Sequence, residues 1–341
     1  MLRKLSWLFV LFVLEVASPN GVFAQEPFYK GKTVRIIVGF SAGGGFDTYA
    51  RVIARHMGRH IPGGPAIIVE NMPGAGSLIA ANHGYNTAKP DGLTINNWIG
   101  GLVLQAVLGG KGIQFHAPKF EWVGALQDSQ SCGLTKASGV SNVQEWLAAK
   151  NPIKLGGTAS GSTDVDIPKI LKATLGLPIQ LVEGYKGTAD IRIAADSGEV
   201  SGYCGTWAGM KSTWSQALEA GNAHIVVQIN SKKHPDLINV PNAVDLAKTD
   251  ETRELIKMGI HYQADISRNY SLPPATPKER VAILQSAFLQ TMKDKDFLAD
   301  AQKAKLSVES ISGDDVSRIV SDYSAMKPEL VNRLKEIMLP N

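Results

Sequence analysis

Little in this 341-residue chain announces chemistry, and each absence removes a class of function. There are only two cysteines, Cys132 and Cys204, too few for a disulfide scaffold or a thiolate zinc site. Lys and Arg (35) barely outnumber Asp and Glu (31), and the two signs are interleaved. With no basic run and no aromatic-studded strand, a nucleic-acid partner is not expected. The seven histidines are dispersed. His56 and His60 lie one turn apart, but no HExxH and no third ligand accompanies them, so no metal is expected. "GKT" at 31–33 lacks the upstream glycine of a phosphate loop, and "GFSAGGG" has neither the lysine nor the G-x-G-x-x-G spacing of a nucleotide site. "GGTASGS" has its serines out of register with G-x-S-x-G. No cofactor and no nucleophile are implied.

What is present begins with a leader. Met1–Lys4 is basic, Leu5–Val16 is apolar but for Ser6 and Glu15, and "VFAQ" puts small or aliphatic residues at Val22 and Ala24. That order predicts export with cleavage after Ala24. The apolar run is well short of the roughly 20 residues that span a bilayer, and no later run reaches that length. Cys132 and Cys204, 72 residues apart in strand-like segments, would then meet oxidising conditions. A disulfide is open to them, with two buried free thiols as the simpler expectation.

From Thr33 the chain alternates strand-like and helix-like stretches. "TVRIIVGF" and "AIIVE" are β-branched runs, and between them Tyr49, Val52, Ile53, His56, Met57 and His60 repeat at helical spacing. "SLIAANHGYNTA", "LTINNW" and "GLVLQAVL" continue as helix, strand and helix. "FEWVGALQDSQSCGLTKA" is too long for one strand and could carry the chain into a second domain. There "IKLGGT", "IQLVEGY", "SGYCGTW" and "HIVVQIN" read as strands, with helices between. Past residue 265 the pattern turns helical. Ser141 with Gln144 and Thr276 with Glu279 predict capping boxes, Pro277 predicts a first helical position, and "SGDD" and "KPEL" predict further helix starts. The reading is α/β, two lobes, the first interrupted by the second.

Glycines between a parallel strand and a helix let backbone amides approach a bound group, and the helix's first-turn amides have no internal acceptor. Such ends attract anions. The arrangement recurs in "FSAGGGFD", "GTASGSTD" and "GYKGTAD". One such loop would be an ordinary tight turn; three could face one another over a cleft at the carboxyl ends of the strands.

"YKGKTVRIIVGFSAGGGFDTYAR", "IIVENMPGAGSLIAAN", "KPDGLTI", "GTASGST", "EGYKGTADI", "SGEVSGY" and "TPKERV", in this order, resemble the solute receptors of tripartite tricarboxylate transporters, the Bug family. The resemblance covers nearly the whole chain after the leader. It implies a two-lobed, type II-like periplasmic-binding-protein fold, each lobe a βα sandwich around a largely parallel sheet. The expected lobes are 25–125 with 231–341, and 126–230, after a signal peptide at 1–24. It also implies a monomer that captures a small organic acid and delivers it to the large and small subunits of a membrane permease, without chemistry. Carried over by position, the ligand residues are Ser41, Gly43, Gly44 and Asp47 from the first lobe and Ser160, Gly161, Ser162, Thr163, Gly187 and Thr188 from the second.

The chain departs from the family's pattern at Asp164, at Asp190 and in "NNWIGG", where Asn97 could donate to a ligand and Trp98 could wall a pocket. Acids at 164 and 190 suit helix N-termini, and they would also disfavour a second carboxylate on the ligand. A periplasmic enzyme on the same scaffold, or a receptor read by a sensor, are the competing functions; neither has a visible signature.

Overall fold

The computed structural model describes residues 26–158, 160–185 and 187–339; the expected leader and its cleavage point at Ala24 lie outside the described residues. The strands among the described residues are β1 (Thr33–Val38), β2 (Ala66–Asn71), β3 (Thr94–Ile99), β4 (Glu121–Leu126), β5 (Gln130–Thr135), β6 (Ile153–Gly157), β7 (Ile179–Glu183), β8 (Gly202–Thr206), β9 (Ala223–Gln228), β10 (Arg268–Leu272) and β11 (Ser310–Ser312). They form two sheets, ordered β11-β4-β10-β3-β1-β2 and β7-β6-β8-β5-β9.

Each sheet is mixed where a largely parallel one was expected, with three strands parallel to one another. β1 pairs parallel with β2 and β3, and β6 pairs parallel with β7 and β8, each joined through a crossover helix. Antiparallel strands are added where the chain passes between sheets: β10 lies between β3 and β4, and β5 lies between β8 and β9. β10 and β11 correct the expectation of an all-helical segment after residue 265. β10 is buried along its whole length, and its sequence RNYSL is short and mostly polar, which hides it.

The long segment at 120–137 divides as expected, β4 belonging to the first sheet and β5 to the second, with only Gln127, Asp128 and Ser129 between. Because β10 runs antiparallel to both β3 and β4, the carboxyl ends of β1, β2, β3 and β4 share one edge. By the same logic β6, β7, β8 and β9 end on one edge of the second sheet, where β5 begins opposite Thr206 of β8. Three linking residues hold these two edges together. An apolar cluster runs across the join, from Trp98, Trp122 and Val316 on one side to Leu155, Ile167 and Ile170 on the other, with Leu255, Ile260 and Leu334 between them.

Three local expectations change. Cys132 and Cys204 form a disulfide rather than two thiols, since antiparallel pairing of β5 and β8 sets them directly opposite each other, both fully buried. The helix Val143–Leu147 is capped by Asn142, whose side chain accepts the Glu145 amide, while Ser141 donates to the Glu145 carboxylate. Thr276 donates back to the Pro273 carbonyl and caps nothing, and the helix Lys278–Thr291 begins after Pro277. Ser312 caps the helix Gly313–Ser324, and Pro328 opens the last helix, as expected.

Candidate functional site

The first glycine loop leaves β1 at the shared edge. Ser41, Gly43 and Gly44 are exposed, and the helix Gly45–Met57 starts immediately after them. Gly43 has φ +81°, a conformation that side chains disfavour, whereas Gly44 is ordinary extended backbone at φ −79°. The need for glycine on conformational grounds is therefore at Gly43.

Asp47 is a brace for this loop. It is buried, accepts from the Gly43 amide (2.8 Å), from Arg51 Nε (2.8 Å) and from Asn71 Nδ2 (2.9 Å), and Asn71 also donates to the Phe40 carbonyl. The Arg51 hydrogen bond, with the Gly43 and Asn71 bonds beside it, holds its carboxyl down at about 2. With its lone pairs so committed, Asp47 shapes the loop and is not presented to a ligand, a correction to its expected role.

The loop after β2, Gly74–Ser77, stands beside it. All four residues have positive φ, including Ala75 (47°) and Ser77 (71°), which carry side chains in a sparsely populated conformation. Ser77 is fully buried, and its Oγ accepts the Ile99 amide at the end of β3. A run of "PGAGS" was the available sequence signal for this strained segment.

Asn97 and Trp98 end β3. Asn97 is buried and its Nδ2 donates to the Asn269 carbonyl (2.8 Å), while Oδ1 has no partner among the described residues. Trp98 is wholly enclosed, bonded to Ser271 Oγ and packed against Phe115, Phe120 and Trp122. It belongs to the core, and the expectation that it walls a pocket is corrected.

In the second lobe the glycine loop after β6 is occupied by its own helix. Asp164 Oδ1, near the start of the helix Thr163–Leu175, accepts from the Thr158 amide (3.0 Å), from Thr158 Oγ1 (2.8 Å) and from Ser162 Oγ. Asp166 Oδ1 accepts the Gly161 amide (3.1 Å), and its Oδ2 is buried without a partner among the described residues. Burial pushes both carboxyls up, Asp166 to about 7. Asp164 thus serves its own loop, in the manner of a local cap. Thr163 is half-buried and Ser160 exposed, its Oγ near the Met338 carbonyl (3.4 Å). The loop after β7 turns back on β6, with the Gly184 and Tyr185 amides donating to the Gly157 carbonyl. Gly187 caps the helix Thr188–Asp196, and Thr188 and Asp190 are exposed.

The loops of the two lobes meet. A Cβ placed on Gly101, which follows β3, would stand 3.0 Å from the Gly161 carbonyl, and one on Gly161 would stand 3.7 Å from the Gln105 side chain. Gln105 is buried and its Nε2 has no partner among the described residues. These approaches place Gly161 where the loops of the two sheets touch. A groove of about 520 Å³ lies at the far end of β5, by Thr135 and Trp214, and none of the predicted residues lines it.

Sequence reasoning missed Arg268 and Asp128. Arg268 begins β10 at the shared edge, is 9% exposed, and pairs through Nη1 with Asp128 of the β4–β5 link, which also accepts from Ser267 Oγ (2.7 Å). Burial works against the guanidinium charge, and the Asp128 carboxylate more than restores it, leaving its pKa raised. Among the described residues no group of three or more His, Cys, Asp and Glu is placed to hold a metal. His56 and His60 instead contact Asp300 and Asp294.

With this geometry in hand, the family model described as tripartite tricarboxylate transporter family receptor matches residues 49–335. The chain belongs to that family. It is a solute-binding receptor and not an enzyme, in line with its solved neighbours. The receptor is 38% identical over 72 residues to a UPF0065 protein of Cupriavidus necator and 29% identical over 141 residues to one of Bordetella bronchiseptica, matches that span 21% and 40% of those proteins. Its fold is that of a TctC solute binding protein from Polaromonas (TM-score 0.68, 20% identity, 89% of this chain and 99% of that one). It is also that of Rpa4515 with adipate (0.67, 22%, 90% and 98%) and of MatC with bound malate (0.64, 20%, 90% and 98%), both from Rhodopseudomonas palustris.

Proposed function

We propose that the mature receptor, released into the periplasm by cleavage after Ala24, captures a small organic acid between lobes formed by 25–125 with 231–341 and by 126–230. It then delivers the acid to the large and small membrane subunits of a tripartite permease. The supporting observation is that the carboxyl ends of both sheets meet at one boundary with glycine loops on both sides, Phe40–Gly45 and 158–162. The adipate and malate in two structures of the same fold point to the same ligand class.

A thermal-shift screen against malate, adipate, citrate, benzoate, glutamate and adipamide tests the reading. A ligand at about 100 times its Kd adds roughly 2.7 kcal/mol to stability, an upward shift of several degrees. Scattering of the complex should show a more compact particle, with chelators making no difference. If none of the acids shifts the transition, the reading is wrong.

The first glycine loop offers a sharper check. Gly44→Val meets only the Ser41 carbonyl, at 3.5 Å, in an ordinary backbone conformation, so the ligand-free transition should stay in place while acid binding weakens. Gly43→Val should lower ligand-free stability by about 1–2 kcal/mol, because L side chains resist positive φ. Unchanged affinity in the Gly44 variant would move the site elsewhere.

A further inference from the structure

We propose that Arg268 is the group that receives a ligand carboxylate at the first-lobe glycine loop, an inference that rests on the acid-binding reading above. Three observations converge on it. The guanidinium carbon lies over two aromatic rings, 4.5 Å from the Tyr49 centroid and 5.1 Å from that of Phe46, which restrict where the charge can sit. Its Nη1 is committed to Asp128, but Nε and Nη2 make no hydrogen bond among the described residues, although the residue is only 9% exposed. Buried guanidinium donors are ordinarily paired, so the idle Nε requires an explanation. Finally, Nη2 stands 3.7 Å from the position a Cβ would take on Gly45, the first residue of the helix that the glycine loop opens. A fixed cation and the first-turn amides of that helix therefore share one spot.

Among the described residues of the glycine loop after β6 there is no equivalent. There the Thr158 and Gly161 amides are taken by Asp164 and Asp166 of the same chain. The ligand class that follows is an acid anchored by one carboxylate on the first lobe. Asp128 then has a second role, holding the guanidinium in register through Nη1 and leaving the remaining edge to the ligand.

Removing Arg268 alone would leave Asp128 buried and unpaired, so the test uses Arg268→Met together with Asp128→Leu. Exchanging both members of a buried ion pair for apolar residues is commonly neutral for stability, whereas removing one is costly. Calorimetric titration of wild type and variant is made with malate, adipate, citrate and benzoate, and with adipamide as the uncharged control. The expected result is a folded double variant whose affinity for the bound acid falls about 10- to 100-fold, the range for a hydrogen bond to a charged group. Arg268→Lys, which keeps the charge but loses the fork, should lose about tenfold, and it decides the matter should the double variant not fold. Wild-type acid affinity in a folded double variant, or in Arg268→Lys, overturns the assignment while leaving the acid-binding reading intact. A wild-type receptor that binds adipamide or nothing, and none of the acids, overturns both.

Discussion

Replacing Cys132 and Cys204 together by alanine should lower the stability of the receptor by about 4 kcal/mol, the largest single effect expected outside the apolar core. The bridge closes a loop of 72 residues, and in the chain-entropy account the stabilisation grows with the logarithm of loop length to roughly this figure. It joins strands that are neighbours in the middle of the second sheet, and what it spans is the whole β6-to-β8 unit with its helices. Its loss frees the unfolded chain without opening a polar hole, because both sulfurs are enclosed by apolar neighbours. Equilibrium unfolding in guanidinium, on the oxidised wild type and the double alanine variant, measures the difference. An unchanged midpoint would show that the bridge restrains nothing that matters for stability.

Asp166→Asn should change how stability depends on pH, and more than any exposed substitution could. The Asp166 carboxyl, pushed up to about 7 by burial, keeps its proton in the folded state at pH values where the unfolded chain has lost it. Below about pH 4 both states are protonated and the site contributes nothing. Between about pH 4 and pH 7 the folded state binds the extra proton, so stability falls as pH rises, and above about pH 7 the cost stays constant at roughly 4 kcal/mol at most. Asp164, also raised, acts in the same direction, and Lys169 opposes it. His261 opposes it too: buried and held down at about 4, it costs stability as pH falls from about 6.5. The difference between wild type and variant isolates the Asp166 contribution. Asparagine can still accept the Gly161 amide, so the variant should gain a few kcal/mol relative to wild type on going from pH 4.5 to pH 8. Parallel profiles across that range would mean the carboxylate is solvated after all.

Much of the fold was legible because several strands are written in runs of β-branched residues. "VRIIV", "AIIV" and "IVVQ" appear as β1, β2 and β9, and the glycines after β1, β6 and β7 mark where strands give way to helices. β10 was not legible. Its Arg268, Asn269 and Ser271 are polar residues in the middle of a sheet, which only becomes tolerable once neighbours satisfy them: Trp98 Nε1 donates to Ser271, and Asn269 Nδ2 donates to the Trp98 carbonyl. The same contacts explain why Trp98 is core. Alternation along a strand says that Asn97 and Trp98 face opposite sides, but not which side has the cleft.

By itself the sequence determined the α/β alternation, the passage between sheets at 126–130 and the glycine loops, since each depends on residue types within a few positions of one another. Tertiary structure alone decided the rest. Whether Cys132 reaches Cys204 depends on strand order, and whether Asp47 and Asp164 face a ligand or their own loops depends on which amides stand within 3 Å of them. Arg268 gains its place at the glycine loop only because an antiparallel strand, 223 residues further along the chain than Gly45, inserts between β3 and β4 and brings its first residue to the shared edge. Such proximities are set by packing between distant segments, and no local pattern encodes them.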